Sequence, residues 1–237
     1  MSFFGLGPNY NRPGPGIPKD APKKKGAALF FEILGREFWS LLVLNLTYVL
    51  ACIPIITIGP ATVALNRVTI TMVRDQNVYP WRDFWDAMRK NWKQGLLFGI
   101  PATLFVAAAI WINLGMLLGG ATTLSMAFIF LWTFLGVSLG CYIFPMAAYV
   151  DLPSLPMLKN SMFLIVLGKF RTIAAVAVSI AASTLAIAYF PISPMVMIFL
   201  GYFAFLSLFI SFMVWPVIER FVINGGEQPA EDSAPAE

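Results

Sequence analysis

The chain has 237 residues, of which 59% are hydrophobic and 12% charged, with 16 Lys+Arg, 12 Asp+Glu and no His. A soluble domain averages roughly 45–50% apolar and about 25% charged residues, so a polytopic membrane protein is expected instead. Without His there is no imidazole metal ligand, no His general base and no His pH switch. Cys52 and Cys141 lie far apart in apolar runs and read as small buried hydrophobes. No glycine-rich nucleotide cradle follows a strand pattern. The net charge of +4 is accounted for by orientation of basic residues toward the cytoplasm, not by nucleic acid. No cofactor, metal or catalytic set is predicted.

Residues 1–27 hold Pro8, Pro13, Pro15, Pro18 and Pro22 and the basic run Lys23-Lys24-Lys25. This segment is expected to be disordered, with its lysines near an anionic inner leaflet. The first long apolar run begins near Phe38 and is of spanning length, so it is expected to stay as an anchor. Apolar runs then cover Phe38–Ile56, Pro60–Val73, Gly95–Leu118, Thr122–Val150, Thr172–Phe190 and Met195–Ile218. Five of them approach the roughly 20 residues a spanning helix needs, and Pro60–Val73 falls short. Charge decides its status. Five spans would export Arg67, Arg74, Arg82, Arg89, Lys90, Lys93, Lys159, Lys169 and Arg171, whereas six keep every base at or near the inner face. The fold expected is all-α, a transmembrane bundle of six spans in three hairpins over residues 28–223, with both termini cytoplasmic. Residues 224–237 form an acidic tail expected to be disordered.

Two inner-side segments read as interfacial helices. Pro80–Gln94 places Trp81, Phe84, Trp85, Met88 and Trp92 on one face, with Arg82, Asp83, Asp86, Arg89, Lys90 and Lys93 on the other. That pattern predicts a helix lying in the headgroup plane. Leu155–Leu167 is a weaker example. Lys90-Asn91 and Lys159-Asn160 recur at an offset of about 70 residues, as do Phe144-Pro145 and Trp215-Pro216. They suggest parallel repeats, with 28–73 as a third, degenerate unit.

Two sets of residues stand out as candidate sites. Asn45, Thr47, Thr57, Asn66 and Arg67 form the polar set within the first two spans, and an antiparallel hairpin is expected to gather them. Arg82, Asp83, Lys90 and Asn91 form a candidate cytoplasmic docking helix. The acids all fall outside the membrane centre on this topology, which argues against an ion-coupled pump. No Ser/Lys pair or paired carboxylates lie within a span, so an enzyme is not expected.

The segments YNRPGPGIPKDAPKKKG, FWSLLVLNLTYVLACIPIITIGPATVAL and DFWDAMRKNWKQG resemble the YesL-like family of bacterial integral membrane proteins, a group of unknown function. Asn45-Leu46, Pro54, Thr57, Gly59-Pro60-Ala61, Asp83-Phe84 and Asn91 carry the likeness. The second half fits by hydropathy and length. Members are often encoded beside carbohydrate ABC importers. The resemblance therefore implies a bacterial cell-membrane protein that assists carbohydrate uptake, with lipids, permease subunits or a second copy of itself as partners. The alternative is a small-solute transporter or facilitator in its own right. A cysteine placed between positions 76 and 90, in a background lacking Cys52 and Cys141, is expected to resist an impermeant thiol reagent in intact cells and to react after permeabilisation. Reaction in intact cells would overturn this topology.

Overall fold

The computed structural model describes residues 26–119, 122–150, 152–189, 195 and 200–225. The basic Pro-rich segment and the acidic tail lie almost entirely outside the described residues. Within these, every regular element is helical. Among the described residues the α-helices are α1 (Ala27–Arg36), α2 (Phe38–Ala51), α3 (Ile58–Val73), α4 (Pro80–Lys90), α5 (Trp92–Gly119), α6 (Thr123–Tyr149), α7 (Ser154–Leu167), α8 (Lys169–Ala188) and α9 (Tyr202–Ile218). A 3₁₀ turn, Ile55–Thr57, leads into α3, and a π-helical turn, Glu219–Ile223, extends α9. Four helices among the described residues are long and apolar enough to cross a membrane: Ile55–Val73, Ala127–Tyr149, Lys169–Ala186 and Tyr202–Ile223.

The end of the first run differs from the hydropathy reading, and the short second run is lengthened by the segment before it. The first does not continue to Ile56 but ends at Ala51, because Pro54 biases the preceding residue away from helix and the Thr57 hydroxyl donates to the Ala51 and Pro54 carbonyls. The second starts at Ile58 and, with its 3₁₀ turn, reaches 19 residues. It is also the most enclosed of the four, with 67% of its span buried against 22%, 22% and 39% for the others. A helix wrapped by protein can carry Thr62, Asn66, Arg67 and Thr69 at low mean hydropathy, because neighbouring helices satisfy them instead of lipid. Thr69 does this with the Ser207 and Ser211 hydroxyls of α9, at 3.1 and 2.8 Å.

The helices fall into three triplets, α1–α3, α4–α6 and α7–α9. Each opens with a short helix of 10, 11 or 14 residues, breaks at a single residue (Glu37, Asn91 or Gly168) and continues into two longer helices. Packing repeats as well. The opening two helices of each triplet lie on the last helix of another: α4 and α5 on α3, α7 and α8 on α6, and α1 and α2 on α9. The three closing helices pack against one another, so the order of packing among the three triplets is cyclic. The region from residue 28 to 73 is thus a full unit in helix order. Phe144-Pro145 and Trp215-Pro216 both lie near the ends of closing helices, but the Lys-Asn dipeptides are not equivalent points, since Lys90-Asn91 ends α4 while Lys159-Asn160 lies within α7.

The sharpest contact joins α3 to α5. A Cβ on Gly59 would collide with the Gly95 carbonyl oxygen and the Gly99 Cα, and one on Gly99 would collide with the Gly59 Cα. Only hydrogen-sized side chains let these backbones meet, as in small-xxx-small helix pairs. Gly99→Leu is expected to destabilise the bundle by about 1–3 kcal/mol or more, whereas Gly115→Ala, where a Cβ meets nothing within 4 Å, is expected to be nearly neutral. Thermal unfolding of the two purified variants in detergent checks the contrast.

Candidate functional site

The close glycine contact sets how α4 lies on α3. Gly95 meets Pro60 near the start of α3, and α4 precedes α5 with only Asn91 between them. Helix α4 therefore runs antiparallel along α3, from its C-terminal end toward its middle. Phe84, Ala87 and Met88 are buried between α2 and α3. This corrects the expectation of a helix lying in the headgroup plane with its aromatic face in lipid. The core-facing half of that stripe docks on protein, and Trp81 remains exposed. The helix is set at its start by Pro80 at the first position and by the Tyr79 N–H, which donates to Asp83 Oδ2 at 2.8 Å. α7 behaves alike, burying Met157, Ser161 and Leu164 against α6 and exposing Leu155, Met162, Phe163 and Val166.

The polar set of the first two spans disperses. Asn45 Oδ1 accepts the N–H groups of Phe203 and Ala204 at 3.0 and 3.3 Å. It serves as a cap, supplied by α2, for the first turn of α9, whose own N-cap is Gly201 and offers no side chain. Thr47 donates to the Val43 carbonyl, and Asn66 Nδ2 to the Thr62 carbonyl. Thr57 closes the turn before α3. These four are held by backbone groups on separate faces, so the hairpin does not gather them with Arg67. Thr62 and Tyr48 make the α2–α3 polar contact instead, at 3.2 Å.

Arg67 turns the other way, toward α6. Its Nη1–H donates to the Ala148 carbonyl at 3.2 Å, and its guanidinium lies 3.7 Å from the centroid of the Tyr149 ring. The Tyr149 and Thr71 hydroxyls are 3.1 Å apart, and Thr71 Oγ1 donates to the Arg67 carbonyl at 2.8 Å. Trp215 packs on Tyr149 with ring centroids 4.9 Å apart, and Arg74 approaches both rings at 5.3 and 5.4 Å. Guanidinium–aromatic stacking of this kind is worth roughly 0.5–2 kcal/mol.

A cavity of about 320 Å³ opens beside Arg67. It is lined by Arg67, Thr71, Gln76, Asp83, Asp86, Ala87, Lys90, Asn91, Ala148 and Tyr149. The structure thus brings together one residue of the first predicted set, Arg67, with three of the second, Asp83, Lys90 and Asn91. Arg82 does not line it and sits on the surface, 3.7 Å from Asp86. The sequence reading missed Thr71, Gln76 and Tyr149, because the pairing of α3 with the end of α6 has no local signature. The Gly95-Leu96-Leu97-Phe98-Gly99 spacing that fixes the α3–α5 register was visible in the sequence. The described residues contain no group of three His, Cys, Asp or Glu able to hold a metal ion.

Tyr149→Phe should lose about 0.5–1.5 kcal/mol with its hydroxyl contact. Tyr149→Leu should lose more, because it also removes the ring beneath Arg67. Thermal midpoints in detergent should follow the order Tyr, Phe, Leu.

Residues 41–114, which take in most of α2, all of α3 and α4, and most of α5, match the family model described as a protein of unknown function, DUF624. No curated protein and no solved structure matches the chain. Within those residues lie Gly59, Gly95, Gly99, Arg67 and every α4 residue that lines the cavity, whereas Ala148 and Tyr149 lie outside them, so the chain is similar to that family over the α3 and α4 side of the site.

Proposed function

We propose that the chain is a multi-pass protein of the bacterial cell membrane, of YesL-like type, that acts by binding and not by catalysis, as an accessory component of a carbohydrate ABC importer. Its six spans form three hairpins: α2 with α3, α5 with α6, and α8 with α9. Both termini are cytoplasmic. The four spanning-length helices support this, and α5, at 28 residues, is long enough to be a fifth. α2 is short, and the turn that joins it to α3 exposes Ile53, Ile55 and Ile56, an apolar surface suited to lipid. The positive-inside pattern supports the orientation.

One observation carries the accessory reading. α4 is mounted rigidly by Phe84 and Met88 while Arg82, Asp86 and Arg89 face outward. A charged face on a rigid support is the arrangement a short helix needs in order to transmit contact with a neighbouring subunit. Charged residues at the rim of such a contact set orientation and association rate more than affinity. The carbohydrate assignment comes from the YesL-like resemblance.

Affinity purification of the full chain in mild detergent tests the reading. Permease or ATPase subunits are expected to co-purify, and Arg82→Glu combined with Arg89→Glu is expected to deplete them at least fivefold without lowering the amount of the chain. Recovery of neither subunit, under conditions that retain known importer complexes, counts against it.

A further inference from the structure

We propose that the cavity beside Arg67 is a headgroup site for an aminophospholipid, a lipid whose phosphodiester is followed by a primary ammonium. Its charged lining comprises two cations, Arg67 and Lys90, and two acids, Asp83 and Asp86, so the site is neutral in sum and calls for a ligand carrying both signs. No ion pair to Arg67 or Lys90 is present among the described residues. Arg67 uses one N–H on the Ala148 carbonyl, and the rest of its five-donor fork is available for phosphate oxygens. Asp83 keeps one carboxylate oxygen beyond the one that accepts the Tyr79 N–H. Asp86 has only an exposed partner in Arg82, a pair of small energetic weight.

The order of these charges along the cavity selects a lipid. Helix α4 runs antiparallel to α3, so Asp83 lies toward the α3 C-terminus, and Lys90 lies one to two turns further toward the middle of α3, in the direction of Arg67. The α3 C-terminus leads into the exposed polar stretch Arg74-Asp75-Gln76-Asn77, which marks the water side. Beyond Lys90, α5 exposes Leu97, Ile100 and Leu104, a surface suited to acyl chains. The cations therefore sit on the hydrocarbon side and the carboxylates on the water side. An aminophospholipid at an interface has the matching order, with phosphate nearer the chains and ammonium nearer water. Tyr149 and Trp215, in contact near the ends of α6 and α9, are aromatic residues of the type that marks headgroup depth. The volume of about 320 Å³ falls at the small end of ligand pockets, which run from roughly 300 to 1,000 Å³. The site requires the bundle to lie in a bilayer, as proposed above.

Native mass spectrometry of the full chain, purified in detergent and offered lipids with identical acyl chains and ethanolamine, choline or glycerol headgroups, tests this. The ethanolamine lipid is expected to be retained at least tenfold over the other two. Arg67→Gln should lower its retention at least fivefold. Asp83→Asn with Asp86→Asn, which keeps the oxygen that accepts the Tyr79 N–H, should abolish the preference over the glycerol lipid. Lys159→Gln, exposed on α7 and outside the cavity, should change nothing. Equal retention of the three lipids, or a preference unaltered by the cavity variants, overturns the proposal. Binding of soluble phosphoethanolamine as tight as that of the lipid also overturns it, in favour of a free zwitterion. Flotation of the chain with liposomes separates the two levels. A chain that fails to float defeats the membrane reading, and one that floats without headgroup preference defeats this site alone.

Discussion

The backbone contact of Gly59 with Gly95 and Gly99 fixes the geometry from which the rest follows. Two helices normally pack with their axes 8–10 Å apart, at a distance set by the side chains between them. Where those side chains are absent the axes close in, and sliding one helix along the other would drive Leu or Phe into backbone. The register of α5 on α3 is therefore fixed, and with it the place of α4. Shifted by one turn, Asp83 and Lys90 would no longer flank the same stretch of α3, and the cavity beside Arg67 would lose its charged wall.

The cyclic packing order explains why a cavity forms there at all. Each triplet lays its short opening helix along the closing helix of another, and the end of a third closing helix comes up beside the pair. Between α3, α4 and the end of α6 this leaves the polar cavity. The corresponding place between α6, α7 and the end of α9 holds a second cavity of about 260 Å³, lined by Val150, Leu152, Phe163, Leu164, Leu167, Phe221 and Val222 around Asn160. At the third place, where α1 lies on α9, Arg36 reaches Asp75 beyond the end of α3 at 2.7 Å. One scaffold thus offers three related positions with different chemistry: a charged cavity, one lined by no charged side chain and an ion pair. The difference lies in which side chains each unit carries and not in how its helices are arranged.

The polar residues inside the bundle separate by the same logic. Asn45, Asn66, Thr47 and Thr57 each satisfy backbone groups, which buried polar atoms in an apolar setting must do. Arg67 does more than that. It is anchored by one carbonyl and one ring, and its remaining donors face the space beside α4. Sequence position alone cannot separate these cases: Thr47, Thr57 and Asn66 bond to carbonyls nearby in the chain, whereas the partners of Asn45 and Arg67 come from the distant helices α9 and α6.

The helical class was legible in composition and in the length of the apolar runs, because the hydropathy of a segment is a local property. The amphipathic pattern of 80–94 was legible too, and it located the helix, though what its apolar face packs against is a matter of neighbours: Phe84 and Met88 meet α2 and α3. Pro60–Val73 was the run too short to span, yet it became the most enclosed of the four spanning-length helices, since a helix surrounded by protein needs less apolar surface than one surrounded by lipid. Only the tertiary structure decided that Arg67 stacks on Tyr149, 82 positions away in the chain, and that α4 brings its acids and Lys90 beside it. Such pairings depend on how helices distant in sequence settle against each other, and that is fixed by backbone contact and packing rather than by any local pattern.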